Sequence, residues 1–190
     1  MQKTQIGAKP FLYPMPTTLV GANVNGKPTY LTIAYCSMVS SSPPIIAVSL
    51  NKVRYTSIGI KENGTFSVNI PSVEMVKITD YCGLVSGHKV DKSRLFDTFY
   101  GKLGTAPMIR ECPISLECRL LHVLEFGSNE LFVGEIVEAY AEERYLTDGL
   151  PDIKKIDPIV FSMNDRNYWR VGQHLGKAFS IGREFEPKNP

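Results

Sequence analysis

A mainly β fold with short helices on its outside is what this 190-residue sequence predicts. Three observations lead there. Apolar runs of strand length recur along the chain, and most come in adjacent pairs joined by tight-turn residues. Segments with helical start and stop signals are few and short. No strand–helix alternation of the doubly wound kind runs through the chain, so a closed or split barrel of antiparallel pairs fits better than a parallel sheet.

Thr18 to Val24 and Pro28 to Cys36 flank Asn25-Gly26, the dipeptide that accepts positive φ at both centres of a two-residue hairpin. Ile45 to Leu50 is the next strand. A short helix follows from Thr56 to Asn63, with Thr56 as a good N-cap and Gly64 as a left-handed stop. Phe66 to Ile70 returns to strand pattern, and Ser72 opens a second helix over Val73 to Tyr81 that Gly83 ends. Ile114 to Phe126 and Leu131 to Glu142 read as a long hairpin around Gly127-Ser128-Asn129, and Pro158 to Ser162 as a last strand. No repeat or low-complexity linker divides the chain. Residues 1–190 are therefore expected to form one domain with 184–190 as a frayed tail.

Composition removes several function classes. Lys+Arg 21 against Asp+Glu 19 leaves a net charge of +2 without a dense basic stripe, so nothing electrostatic recruits nucleic acid or an anionic membrane. The first ten residues lack an apolar signal core, and no run approaches the roughly 18 apolar residues of a membrane span. A cytoplasmic protein is expected, and Asn63-Gly64-Thr65 is then a turn rather than a glycosylation acceptor. Cys36, Cys82, Cys112 and Cys118 are scattered without C-x-x-C spacing, which speaks against zinc, an iron–sulfur cluster or a disulfide framework, so no metal is expected. Three of them read as buried thiols, and Cys36 stands apart because it falls inside the candidate ligand loop. Gly21 to Pro28 nearly matches a phosphate-binding P-loop, but Pro28 replaces the hydroxyl that would hold magnesium and a strand pattern follows. No G-x-G-x-x-G exists for a dinucleotide fold, and no G-x-S-x-G elbow supports a hydrolase.

The stretch from Tyr30 to Pro71 carries the chemistry. Thr32, Ile33, Ala34, Tyr35, Cys36 and Ser37 end one strand in small or hydroxyl residues, Ser49, Leu50 and Asn51 end the next, and a helix then opens on Arg54, Tyr55 and Thr56. An anion there would meet unpaired amides, the positive end of a helix dipole and the guanidinium fork of Arg54. The plainer reading is that Thr56 only caps and Arg54 only solvates. Ser86-Gly87-His88-Lys89-Val90-Asp91-Lys92 is a polar loop that could close over a ligand, or an ordinary solvated loop.

The order T-I-A-Y-C-S, P-P-x-x-A-V-S, R-Y-T and F-S-V-N-I-P resembles the flavin reductase-like FMN-binding proteins, specifically their flavoredoxin branch. The likeness continues through Ser86 to Lys92, Ala106 to Ile109 and Glu130 to Ile136 and so covers most of the chain. The resemblance implies an FMN-binding split β-barrel, a non-covalent flavin near a homodimer interface, and an oxidoreductase that passes electrons through that flavin. It further implies backbone amides of Thr32 to Ser37 on the flavin heteroatoms, phosphate at the Arg54–Thr56 helix start, Tyr35 against the ring, Ser86 and Gly87 close by, and Lys92 opposite the negative charge that builds on reduction. One position departs from the pattern. Related reductases often carry a histidine where this chain has Asn129, which puts direct NAD(P)H oxidation in doubt and leaves a small redox protein as the other donor. A non-catalytic flavin carrier, and a pyridoxal-phosphate or haem-binding relative on a similar barrel, remain as competing readings.

Overall fold

A computed structural model describes residues 1–187. Its centre is a seven-stranded antiparallel sheet. In chain order the strands are β1 (Thr18–Val24), β2 (Lys27–Ile33), β3 (Cys36–Ser41), β4 (Pro44–Asn51), then, after helix α1 (Tyr55–Asn63), β5 (Thr65–Ile70). Helix α2 (Val76–Leu84) and a long excursion lead to β6 (Ile114–Phe126) and β7 (Asn129–Ala141). The spatial order is β2-β1-β5-β6-β7-β4-β3. The two edge strands, β2 and β3, are consecutive in the chain and separated only by Ala34 and Tyr35. A sheet whose edges are joined by two residues must curl into a barrel, closed at that turn and open where the strands diverge. This is the split barrel expected from the sequence.

The interior follows from strand alternation. Val20, Leu31, Val48, Phe66 and Phe132 point into one shared core and are almost wholly excluded from water. Gly134 permits this packing, since a Cβ there would lie 2.6 Å from the Phe66 ring. On the opposite faces of β1 and β2, Leu19 and Tyr30 form a second cluster with Cys82, Phe96, Ile109 and Cys112. Both faces of these two strands are therefore covered, the outer one by α2 and by residues 85–113.

Buried polar side chains hold that long excursion against the barrel. Asn69 donates to the Leu19 carbonyl at 2.9 Å and accepts from the Ile109 amide at 3.0 Å. Glu117, fully buried, accepts from the amides of Lys102 and Leu103, each at 2.8 Å. Such bonds satisfy backbone groups that a buried loop would otherwise leave unpaired.

Several sequence expectations are corrected in detail. The predicted strand Pro28 to Cys36 ends at Ile33, and Cys36–Ser41 is a separate strand. Gly83 does not stop α2, which runs to Leu84. Gly83 is instead a close-packing residue, with its missing Cβ 3.3 Å from that of Thr32. The long hairpin turns on Gly127-Ser128 alone, because Asn129 is already the first residue of β7. The last strand, β8 (Ile159–Ser162), pairs with Met15–Pro16 and with an unforeseen β9 (Asn167–Arg170). Of the expected frayed tail, Glu184 closes a short 3-10 turn, and residues 188–190 lie outside the described residues.

Candidate functional site

The turn that closes the barrel is also where two grooves meet. Ala34 and Tyr35 lie outside both neighbouring ladders, which end at Ile33 and resume at Cys36. The turn is fixed from both sides: Cys36 N–H donates to the Ala34 carbonyl and Ser49 N–H to that of Tyr35, each at 2.9 Å.

The first groove, about 760 Å³, lies between the barrel and the β8–β9 hairpin. Thr32, Ala34 and Arg54 enter it from the predicted set. Sequence reasoning missed its other wall, Thr17, Asp80, Phe161, Met163, Arg166 and Tyr168. The signal for these residues is weak, because they come from the two chain ends and from the middle of α2. The Tyr168 hydroxyl donates to Asp80 at 2.8 Å, tying the hairpin to α2. Loss of water around this phenol, reinforced by Asp80, pushes its pKa up to about 12. Tyr35 donates to the Met163 sulfur at 3.2 Å, a second tie between hairpin and turn. Thr17 is 2% exposed, and its hydroxyl has no partner among the described residues.

The second groove, about 920 Å³, runs over the outer sheet face. Ala34, Tyr35, Cys36, Ser37, Ser49 and Asn129 all line it, between walls made by Leu12 with its neighbouring prolines and by Phe126. Asn129 donates to the Ser49 hydroxyl at 3.1 Å. Burial pushes the Cys36 thiol up to about 11, so it stays protonated at neutral pH. Cys82, Cys112 and Cys118 are buried, as expected.

The helix start differs from the expectation in one respect. Arg54, not Thr56, occupies the cap position, and no side chain caps the helix. Thr56 lies inside the first turn at 2% exposure. Its hydroxyl is therefore displaced from the capping role, while the early amides of α1 still open toward the Arg54 side. Asn51 accepts from the Val53 amide at 3.2 Å and shapes the approach. Ile33 and Leu50 are core side chains and can meet a ligand only through their backbone.

Tyr55, Gly87 and Lys92 share a small third pocket with His88. Gly87 is required there, since a Cβ would come within 2.5 Å of the Tyr55 ring. Ser86 accepts from the His88 amide at 3.3 Å. The Lys92 ammonium is not spread over a groove: it is 3% exposed and donates to the carbonyls of Tyr30 (2.9 Å) and Cys82 (2.7 Å). Its pKa is lowered, mainly by loss of water and further by the nearby Arg54 charge, with Cys82 opposing.

A barrel edge offering a turn, a guanidinium and a helix start is a small-ligand site. Comparison with known proteins supplies the class: residues 11–161 match the flavin reductase like domain, and the chain belongs to that family. It superposes with a TM-score of 0.94 on flavoredoxin from Methanosarcina acetivorans, at 55% identity over 96% of this chain and 98% of that one. Flavoredoxin of Desulfovibrio vulgaris (Miyazaki F) follows at TM-score 0.89 and 39% identity, covering 95% and 100%. An uncharacterised protein of Archaeoglobus fulgidus is 36% identical over 155 residues, which is 80% of this chain and 86% of its own length. The chain is a flavin oxidoreductase of the flavin reductase and flavoredoxin type. No helix among the described residues is long and apolar enough to cross a membrane.

Proposed function

We propose that this protein binds FMN non-covalently, as a cytoplasmic single-domain homodimer, and passes electrons from a donor to an acceptor through it. The carrying observation is the first groove, which joins Arg54 and Arg166 to Ala34 of the barrel-closing turn in one continuous space. A guanidinium at a helix start and a second one on the facing hairpin suit a phosphate monoester. The Thr17 hydroxyl, buried on the groove wall and unpartnered among the described residues, fits the same reading, because such a group takes its partner from water or a ligand. The volume is in the range of small-molecule sites, about 300–1,000 Å³.

A bound flavin supplies reversible electron transfer. The chain supplies everything else. Arg54 and Arg166 hold the phosphate, helped by the first amides of α1 near Thr56 and by Asn51. Amides of the Ala34–Tyr35 turn, flanked by Thr32, Ser37 and Ser49, face the heteroatoms, and Tyr35, held by Met163, offers its ring for stacking. Lys92 holds a buried positive charge on the carbonyls of Tyr30 and Cys82, where water screens it little, so it favours a ligand that gains negative charge. Ser86 and Gly87 keep the Tyr55 wall in place.

The donor follows from Asn129. Its amide is held by Ser49 and does not titrate, so it supplies neither the charge nor the proton of an imidazole. A small redox protein is therefore the preferred donor, and NAD(P)H a slow one. Four free cysteines support the reducing compartment. Titration of the protein with FMN, FAD and riboflavin tests the cofactor assignment: FMN should bind tightest, and equal affinity for riboflavin would place no phosphate in the groove.

A further inference from the structure

The six methionines of the chain have different surroundings. Met15, on the second groove, and Met108 are buried, and Met75 packs against the second core cluster. Met1 and Met38 are exposed, Met38 at 54%. Met163 belongs to neither group: it is half-buried and lines the first groove, directly after β8. Its neighbours fix its place. The Asn164 amide donates to the Tyr13 hydroxyl at 3.2 Å, and the Trp169 indole, across the hairpin, donates to Ser162 at 2.7 Å. The sulfur itself accepts from the Tyr35 hydroxyl at 3.2 Å. That bond engages one lone pair of the thioether and leaves the other for an electrophile.

We propose that Met163 is a modification site: hydrogen peroxide formed in the first groove oxidises it to the sulfoxide, so that turnover in oxygen marks the protein's own flavin site. This role rests on FMN occupying that groove, as proposed above. Dioxygen entering the reduced protein takes up two electrons and two protons at the flavin, which is left oxidised, and departs as hydrogen peroxide. The free lone pair of the Met163 sulfur then attacks one peroxide oxygen. An S–O bond forms, the O–O bond breaks, and the departing hydroxide takes the remaining proton and leaves as water. The thioether is oxidised and the peroxide reduced, with dioxygen as the sole oxidant consumed. Met163 is singled out by position, because it is the methionine on the groove where the peroxide is released.

The modification alters the site because of what the sulfur holds. Two side-chain bonds tie the β8–β9 hairpin across the first groove, Tyr168 to Asp80 and Tyr35 to Met163. A sulfoxide is polar and chiral, and its acceptor oxygen stands one bond beyond the sulfur. The Tyr35 hydroxyl can no longer bond Met163 in its present position, so the second tie is broken or displaced while the first remains. Tyr35 is the ring offered to the flavin, and an oxidised Met163 therefore weakens the hold on FMN. Methionine sulfoxide reductases return the thioether, which makes the mark reversible.

Peptide mass spectrometry of the full chain tests this. FMN-loaded protein is reduced and reoxidised by air through repeated cycles with catalase in solution, so that peroxide escaping the groove is destroyed. Met163 should gain one oxygen atom before Met1 and Met38 do. Flavin-free protein treated with hydrogen peroxide should show the opposite order, with the exposed Met1 and Met38 first. Cycling under argon with a one-electron oxidant in place of air should leave Met163 unmodified. Air cycling should also weaken FMN binding by the native protein roughly tenfold, the scale of one lost hydrogen bond, whereas Met163→Leu should keep the affinity it starts with. Oxidation that follows exposure in the air-cycled sample, equal oxidation under argon, or native FMN affinity unchanged once Met163 is oxidised would each overturn the assignment. Protein that binds and cycles FMN with Met163 untouched removes this site alone, and protein that takes up no FMN removes the functional reading with it.

Discussion

Arg54 and Arg166 enter one groove from distant parts of the chain, and their separate roles can be measured. Each charge-assisted bond to phosphate contributes about 1.5–3 kcal/mol, so Arg166→Gln should weaken FMN roughly ten- to hundredfold. Riboflavin, which lacks the phosphate, should bind the variant and the native protein alike. Equal losses for both ligands in fluorescence titration would mean that Arg166 supports the hairpin rather than the phosphate. Lys92 calls for two readouts, because its ammonium also satisfies two buried carbonyls. Lys92→Met should lower stability by about 1–3 kcal/mol and make the flavin midpoint potential more negative. A potential that stays or moves positive would deny it any redox role. Cys36 gives a pH test with a clear sign: its raised pKa means less thiolate than an ordinary cysteine at every pH below about 11. Alkylation of Cys36 in the native protein should be very slow at pH 8 and accelerate toward pH 11, and rapid labelling of Cys36 at pH 8 would show that its thiol is not held protonated.

At the scale of elements, hairpins were the most legible features. Asn25-Gly26 takes positive φ at both residues, and Gly127 does the same at the second turn, as their sequences require. Cys36–Ser41 was illegible because C-S-M-V-S-S has neither apolar alternation nor β-branched density, and it is a strand only because β4 lies beside it. The α2 stop failed for a related reason: Gly83 is dictated by contact with Thr32, a tertiary demand that overrides the local signal. The candidate site split the same way. Ala34, Tyr35 and Arg54 could be read from the chain because they sit beside strand and helix ends, whereas Arg166 and Tyr168 belong to a hairpin whose meaning exists only after folding. The 85–113 excursion depends on Asn69, whose loss leaves the Ile109 amide and Leu19 carbonyl unpaired. Asn69→Ala should therefore destabilise the fold by at least about 2 kcal/mol and expose residues 106–112 to proteolysis. Unchanged cleavage and an unchanged denaturation midpoint would mean that water replaces these bonds at no cost.

For the whole molecule, the split barrel sets one face of the sheet and one end hairpin around a single turn, so a ligand at Ala34–Tyr35 would meet the N-terminal segment, the sheet face and the end hairpin together. Asn129 sits on that face with its amide bonded to the Ser49 and Ser128 hydroxyls, and direct reduction by NADH or NADPH should consequently be slow and weakly saturating. Asn129→His should speed it if the family histidine serves the nicotinamide. Fast, saturable reduction of the native protein would sink the preference for a protein donor while leaving the flavin chemistry intact. In the proposed function the chain holds FMN and cycles it between redox states. Anaerobic absorbance of the FMN-loaded protein tests this most directly, with stepwise addition of a low-potential reductant followed by a stoichiometric oxidant. The account predicts one FMN per chain, a visible band shifted from free flavin, full bleaching and full recovery with the flavin still bound. A flavin band identical to that of free FMN, or loss of the flavin from the protein on reduction, would contradict it.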